Sequence, residues 1–145
     1  MYDIKFMANR ELLNEIYRNS WSFDYKKFNE FYKRLNEIYN LNSIDVITLC
    51  GSYRYKNNQI DFIEKSLVIL GYTVFNFPDF HSEYLRLDNN QKSILENVLD
   101  GNHKRKIRLS DLIIIVNIDN YIGKSTKMEI EYCKTIGKQF IYYEV

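Results

Sequence analysis

The sequence predicts an α/β fold: a parallel sheet of about four strands in the order 2-1-3-4, preceded by an N-terminal helical extension. Three observations lead there. From Ser43 onward, β-branched apolar runs alternate with amphipathic helical stretches, the pattern of βαβ units joined by right-handed crossovers. The run LIIIVNI, Leu112 to Ile118, is apolar almost without interruption, as befits a strand buried on both faces. One proline and five glycines in 145 residues leave too little turn chemistry for a loop-rich all-β protein and argue against disorder.

The elements follow in order. Residues 1–42 form the extension and residues 43–145 the α/β domain. In the extension, Glu11 to Arg18 is a short amphipathic piece with Leu12, Leu13, Ile16 and Tyr17 on one side. Ser22 or Asp24 can cap a longer helix in which Phe28, Phe31, Tyr32, Leu35, Ile38 and Tyr39 recur at steps of three and four. That stripe packs on the sheet, or serves as a dimer surface or lid. Ile44 to Cys50 is the first strand. Asn57 to Leu70 is helical, with Ile60, Ile63, Leu67 and Leu70 on one face and Gly71 as its stop. Tyr72 to Phe77 is the second strand, ended by Pro78. Phe80 to Asn90 reads as a polar loop, and Gln91 to Leu109 as a helix that Gly101 can break or kink. Leu112 to Ile118 is the third strand, Ser125 to Ile136 the last helix, and Phe140 to Glu144 the last strand. The result is a small flavodoxin-like (Rossmann-like) arrangement.

Composition narrows the function. A net charge of +1 gives no global reason to expect nucleic acid or a membrane surface. No apolar run approaches a transmembrane length, and MYDIKFMANR lacks the apolar core of a signal peptide. Cys50 and Cys133 fall inside elements without metal-ligand spacing, so they are read as reduced, buried thiols of a cytoplasmic protein. Neither His81 nor His103 has a partner at metal-ligand spacing. No metal and no cofactor are expected.

Ligands of such sheets bind outside the carboxyl ends of the strands, at the switch point between strands 1 and 3. Three segments lie there: CGSYR after strand 1, the loop from Pro78 after strand 2, and NIDNYIGKST after strand 3. Gly51 allows close backbone approach. Ser52 can bond phosphate oxygens and Arg54 can clamp them. A plain βα turn with a surface arginine is the alternative. Asn117 and Asp119 lie at a strand end, where Asp119 binds a sugar hydroxyl or merely forms a turn. Gly123 permits a tight turn, and Ser125 and Thr126 offer hydroxyls at a helix start. Thr126 to Glu129 has the form of a capping box. Such a carboxylate gains from the helix dipole and also suits a nucleophile toward an anomeric carbon. The two roles do not exclude each other. The basic run HKRKIR, His103 to Arg108, is a solvated face or a nucleic-acid patch, though few aromatics accompany it.

CGSYR, the aspartate of SDLIIIVNI and MEIEYCKTIGK together resemble the nucleoside 2-deoxyribosyltransferase family, closest to its 2′-deoxynucleoside 5′-phosphate N-hydrolase branch, over roughly Ile44 to Val145. The resemblance implies that Glu129 is the catalytic carboxylate attacking C1′ of the sugar, and that Gly51, Ser52 and Arg54 lie near sugar and phosphate. It also implies a homo-oligomer, with sites that borrow residues from a neighbour, and a nucleoside or nucleotide ligand. Four positions depart from the family pattern. Glu131 stands for a glycine and Cys133 for an alanine. His103 stands where the family has an aspartate that handles the leaving base, and a histidine can act there as a general acid. Thr48 replaces a tyrosine whose hydroxyl Tyr53 can supply. The expected function is therefore cleavage of the N-glycosidic bond of a nucleoside, a nucleoside 5′-monophosphate or an NAD-type dinucleotide, by hydrolysis or base transfer. A non-catalytic nucleotide-binding module on the same fold is the alternative, and a purely structural domain the third.

Overall fold

The computed structural model of the chain describes residues 11–16, 18, 25–38, 43–51, 58–117 and 119–144. In chain order its elements are helices α1 (residues 11–16) and α2 (Tyr25–Ile38), strand β1 (Val46–Cys50), α3 (Asn58–Ile69), β2 (Thr73–Phe75), the short α4 (His81–Tyr84), α5 (Asn89–Leu109), β3 (Leu112–Asn117), α6 (Lys124–Ile136) and β4 (Phe140–Glu144). The strands form one all-parallel sheet in the order β2-β1-β3-β4, the fold and strand order that the sequence predicts.

Register and pleat decide which side chains face which helices. Ile47 pairs with Leu112 and Cys50 with Ile115. Alternate residues of each strand then point to opposite faces. Ile47 and Leu49 of β1, Leu112, Ile114 and Val116 of β3 and Tyr143 of β4 share one core with Ile60, Ile63 and Leu67 of α3. Leu13 of α1 and Phe28, Phe31, Tyr32 and Leu35 of α2 belong to the same core. The Phe31 ring meets Tyr143 edge-on, with centroids 4.7 Å apart. Cys50, Ile113 and Ile115 face the other way, onto Ile107 of α5 and Ile130 and Cys133 of α6. Asp111 fastens β3 to β1: its carboxylate accepts the backbone N–H groups of Asp45 and Val46, both at 2.9 Å.

Several local readings are corrected. Of the apolar residues in α1, Leu13 is buried, but Leu12 and Ile16 are 52% and 51% exposed, so the short helix reaches the core through one side chain. β2 is only Thr73–Phe75, shorter than Tyr72 to Phe77. The stretch after Pro78 contains α4 and the start of α5 rather than an unbroken loop. α5 begins with a true capping box: Asp88 accepts from the Gln91 backbone N–H, and Gln91 accepts from that of Asp88. Gly101 does not break α5, and a Cβ there would touch nothing within 4 Å. α6 is capped by Gly123 in extended backbone with no side-chain cap bond, so the capping box expected at Thr126 and Glu129 is not formed. Thr126 is instead buried in the first turn, and Glu129 lies in the second. Gly137 ends α6 in left-handed backbone, φ 69°, as a helix-terminating glycine does. Ser22, Asp24, Tyr17, Tyr39 and Ile118 lie outside the described residues.

Candidate functional site

The site forms where the second core runs out at the carboxyl end of β1. Cys50, the last residue of that strand, is fully buried. α5 crosses behind it, and two hydroxyls pin the end of this helix to the sheet. Ser110 donates to the Lys106 carbonyl at 2.8 Å, and Thr48 contacts both Ser110 and that carbonyl. The Lys106 ammonium donates to the Asn76 carbonyl at 2.8 Å, tying α5 to the end of β2. With α5 held at three points, His103 is fixed one turn before Ile107, and both are buried. α6 brings Glu129 to the same spot.

His103 presents one nitrogen, Nε2, to two partners. The Cys50 Sγ is 3.2 Å away and the Glu129 Oε1 3.5 Å away. The histidine and glutamate side chains are only 8% and 17% exposed. Burial pushes Glu129 up to about 8, with Asp100 adding to the shift and a hydrogen bond to Cys50 opposing it. Burial pushes His103 down to about 4, with Lys106 adding and Asp100 opposing. Burial also raises the Cys50 thiol, and Glu129 and Cys133 add to it. At neutral pH the cluster is therefore a carboxylic acid, a neutral imidazole and a thiol. The Glu129–His103 contact is a neutral one, not an ion pair. The helix dipole does not keep Glu129 ionised as the sequence suggested. The dipole acts within the first turn, and Glu129 sits beyond it, where desolvation dominates. Its second oxygen, Oε2, is buried without a hydrogen-bond partner.

His103 and Glu129 form part of the wall of a cavity of about 290 Å³. Phe77 and Pro78 close it from the end of β2, and Phe80, His81 and Tyr84 from α4 and its approach. Leu95, Leu99, Asp100, Asn102 and Lys106 come from α5, and Ser125 from α6. The Tyr84 hydroxyl donates to Glu96 at 2.5 Å, and the Lys92 ammonium lies 5.0 Å from the centre of its ring. These contacts hold α4 against α5. A cavity walled by several aromatic rings, with a few polar groups converging on it, suits a flat heteroaromatic ligand.

The structure thus brings Glu129, His103 and Ser125 together. Gly51 follows Cys50 and is half-buried, with room for a Cβ at ordinary contact distance from Val116. Asn117 ends β3, its Oδ1 buried without a partner. It does not wall the cavity, nor does the buried Thr126. Asp119 and Asn120 are exposed and both have positive φ, 54° and 58°. Positive φ suits an aspartate in a turn, and Asp119 is not among the residues that wall the cavity. Gly123, with φ −69°, occupies backbone open to any residue. Ser52, Tyr53 and Arg54 lie outside the described residues.

Sequence reasoning missed Cys50 as a neighbour of the two reactive side chains. It is 53 positions from His103, and no spacing rule links them. The available signal was its place as the last residue of a strand at the switch point.

No protein-family model matches the chain, and no curated protein matches it significantly. Among the described residues, no helix is long and apolar enough to cross a membrane.

Proposed function

We propose that the chain cleaves the N-glycosidic bond of a nucleoside or nucleoside 5′-monophosphate, in the manner of the nucleoside 2-deoxyribosyltransferases and their N-hydrolase branch that its sequence resembles. The observation that carries this reading is the buried contact of Glu129 with His103 on the wall of an aromatic-lined cavity. The base stacks among Phe77, Phe80 and Tyr84. His103 Nε2 takes the proton of Glu129, so one transfer yields both a carboxylate nucleophile and an imidazolium acid. Glu129 then bonds to C1′ as the bond to the base breaks, and the imidazolium gives its proton to the departing base. Water attacks C1′, releases the sugar from Glu129 and returns a proton to the pair. The substitution of His103 for the family's aspartate thus keeps an acid at the position. Ser52 and Arg54 are assigned to the 5′-phosphate, and Tyr53 to the hydroxyl that Thr48 cannot offer, on the resemblance alone. Assembly as a homo-oligomer belongs to the same proposal, and light scattering tests it.

A second reading has its own support. Burial pushes Glu129 up to about 8, which favours its protonated form at neutral pH, and Thr48 is committed to Ser110 and the Lys106 carbonyl. Both suit a pocket that binds a nucleotide without turning it over. One experiment separates the readings. The protein is incubated with nucleosides, their 5′-monophosphates and NAD, in chelator, and free base is followed by chromatography with mass detection. Base release that is lost in Glu129→Gln supports the enzyme. Unchanged ligand, bound by native and variant alike, replaces it with the binding module.

A further inference from the structure

We propose that Cys50, His103 and Glu129 form a binding site for a zinc-class divalent cation, with its remaining coordination position open to the cavity. The three side chains come from β1, α5 and α6, and their ligand atoms all lie within 4.8 Å of one another. The sequence hides this set, because its members are far apart along the chain and follow no finger-like spacing.

The donor chemistry selects the ion. Binding displaces the thiol proton of Cys50 and the carboxyl proton of Glu129 into solvent, and the resulting thiolate, imidazole and carboxylate suit zinc, whereas magnesium and calcium take oxygen ligands. The geometry agrees. Zinc–ligand lengths in a tetrahedral arrangement put sulfur and nitrogen about 3.5 Å apart, and nitrogen and oxygen about 3.4 Å apart. The corresponding separations here are 3.2 Å and 3.5 Å. One nitrogen of His103 faces both other donors, so the imidazole need not turn to meet an ion between them. A second observation points to a ligand independently: Glu129 Oε2, the other carboxylate oxygen, is buried with no hydrogen-bond partner, a costly state that a cation held by both oxygens of the carboxylate relieves. Three protein ligands and an open position are the arrangement of zinc sites that accept a further ligand. His103 and Glu129 both line the cavity, so the open position faces it.

This inference does not rest on the glycosidase reading. An ion held by Glu129 withdraws the carboxylate from any sugar, so zinc is expected to suppress base release measured in chelator. The test uses cobalt(II) as a spectroscopic stand-in for zinc, followed by competition with zinc itself. The native protein should take up one equivalent per chain and show a near-ultraviolet sulfur-to-cobalt charge-transfer band that zinc abolishes. Cys50→Ser should lose the band, and Glu129→Gln should weaken binding by at least about a hundredfold. Cys133→Ala should retain both. Absence of the band in native protein overturns the proposal whatever the variants do. So does a band that survives Cys50→Ser or disappears with Cys133→Ala. Base release without metal binding leaves the glycosidase standing alone, and metal binding without base release leaves the cation site standing alone.

Discussion

On one face of the sheet, Ile47, Leu49, Leu112, Ile114 and Val116 meet α2 and α3 through a continuous apolar core. On the other, Ile113 and Ile115 meet α5 and α6 through a smaller core. Towards its edges the second core gives way to Thr48, Ser110, His103 and Glu129. The same strands feed both faces through alternate residues, so the contrast comes from the helices laid against them. α3 offers Ile60, Ile63 and Leu67. α5 buries only His103 and Ile107 in 21 residues. A face closed by aliphatic side chains stores stability. A face closed partly by titratable ones keeps a cavity and reactive groups in it, and loses some apolar burial in return.

The sharpest way to break this contrast is Glu129→Gln. On the proposed mechanism, base release falls roughly a thousandfold, about 4 kcal/mol of transition-state stabilisation, while thermal unfolding shows the fold intact. A loss of fold together with activity would erase the distinction between the faces. On the opposite face, Leu67→Ala should cost about 3 kcal/mol in denaturant unfolding, since a fully buried leucine leaves a cavity, with ligand affinity unchanged.

The third effect is a pH dependence of stability. Glu129, held at about 8 instead of 4.5, keeps in the fold a proton that the unfolded chain releases, so stability falls as pH rises across that interval. His103, held at about 4 instead of 6.5, lacks a proton that the unfolded chain takes up, so its contribution rises with pH between those values. The slopes oppose each other up to pH 6.5. Above that only Glu129 acts, and stability should drop by about 2 kcal/mol by pH 8. Unfolding curves at the two pH values should show the drop in native protein and not in Glu129→Gln.

The smallest effect belongs to neither face. Asp111→Ala removes the acceptor for two backbone N–H groups and should cost about 1 kcal/mol at neutral pH. Those same bonds lower the Asp111 pKa. Its contribution is therefore present above the ordinary carboxylate range and lost as pH falls through the depressed value, so native and variant should converge in acid.

Periodicity made the strands and helices legible, because apolar runs and stripes report burial directly. The buried set of α3 and the apolar stretch of β3 follow from it residue by residue. The helix starts were less legible. Thr126 and Glu129 have the spacing of a capping box, but Gly123 begins α6 three residues earlier and turns Thr126 inward. Asp88 and Gln91 form the real box across the boundary between the stretch that reads as loop and the helix that reads from Gln91. At the site, Glu129 and His103 stood out through a resemblance, and their contact is a tertiary fact. It needs the β1–β3 register, the pinning of α5 by Thr48 and Ser110, and the turn of α6, none of which leaves a local pattern. Nor does sequence report desolvation, which decides that the carboxyl keeps its proton.

The parallel register also has a consequence for the chain as it emerges from a ribosome. β1 can pair early with β2, but over three residues only, Val46 to Thr48. Its other edge waits for β3, whose first residue follows the end of β1 by more than 60 positions. Until then the open backbone groups along that edge have no native partner. Non-local pairing of this kind is slow and exposes an adhesive edge. Nascent chains whose emerged part ends before Leu112 should therefore be the species that aggregate or engage chaperones, and chains with Asn117 clear of the ribosome the first that escape.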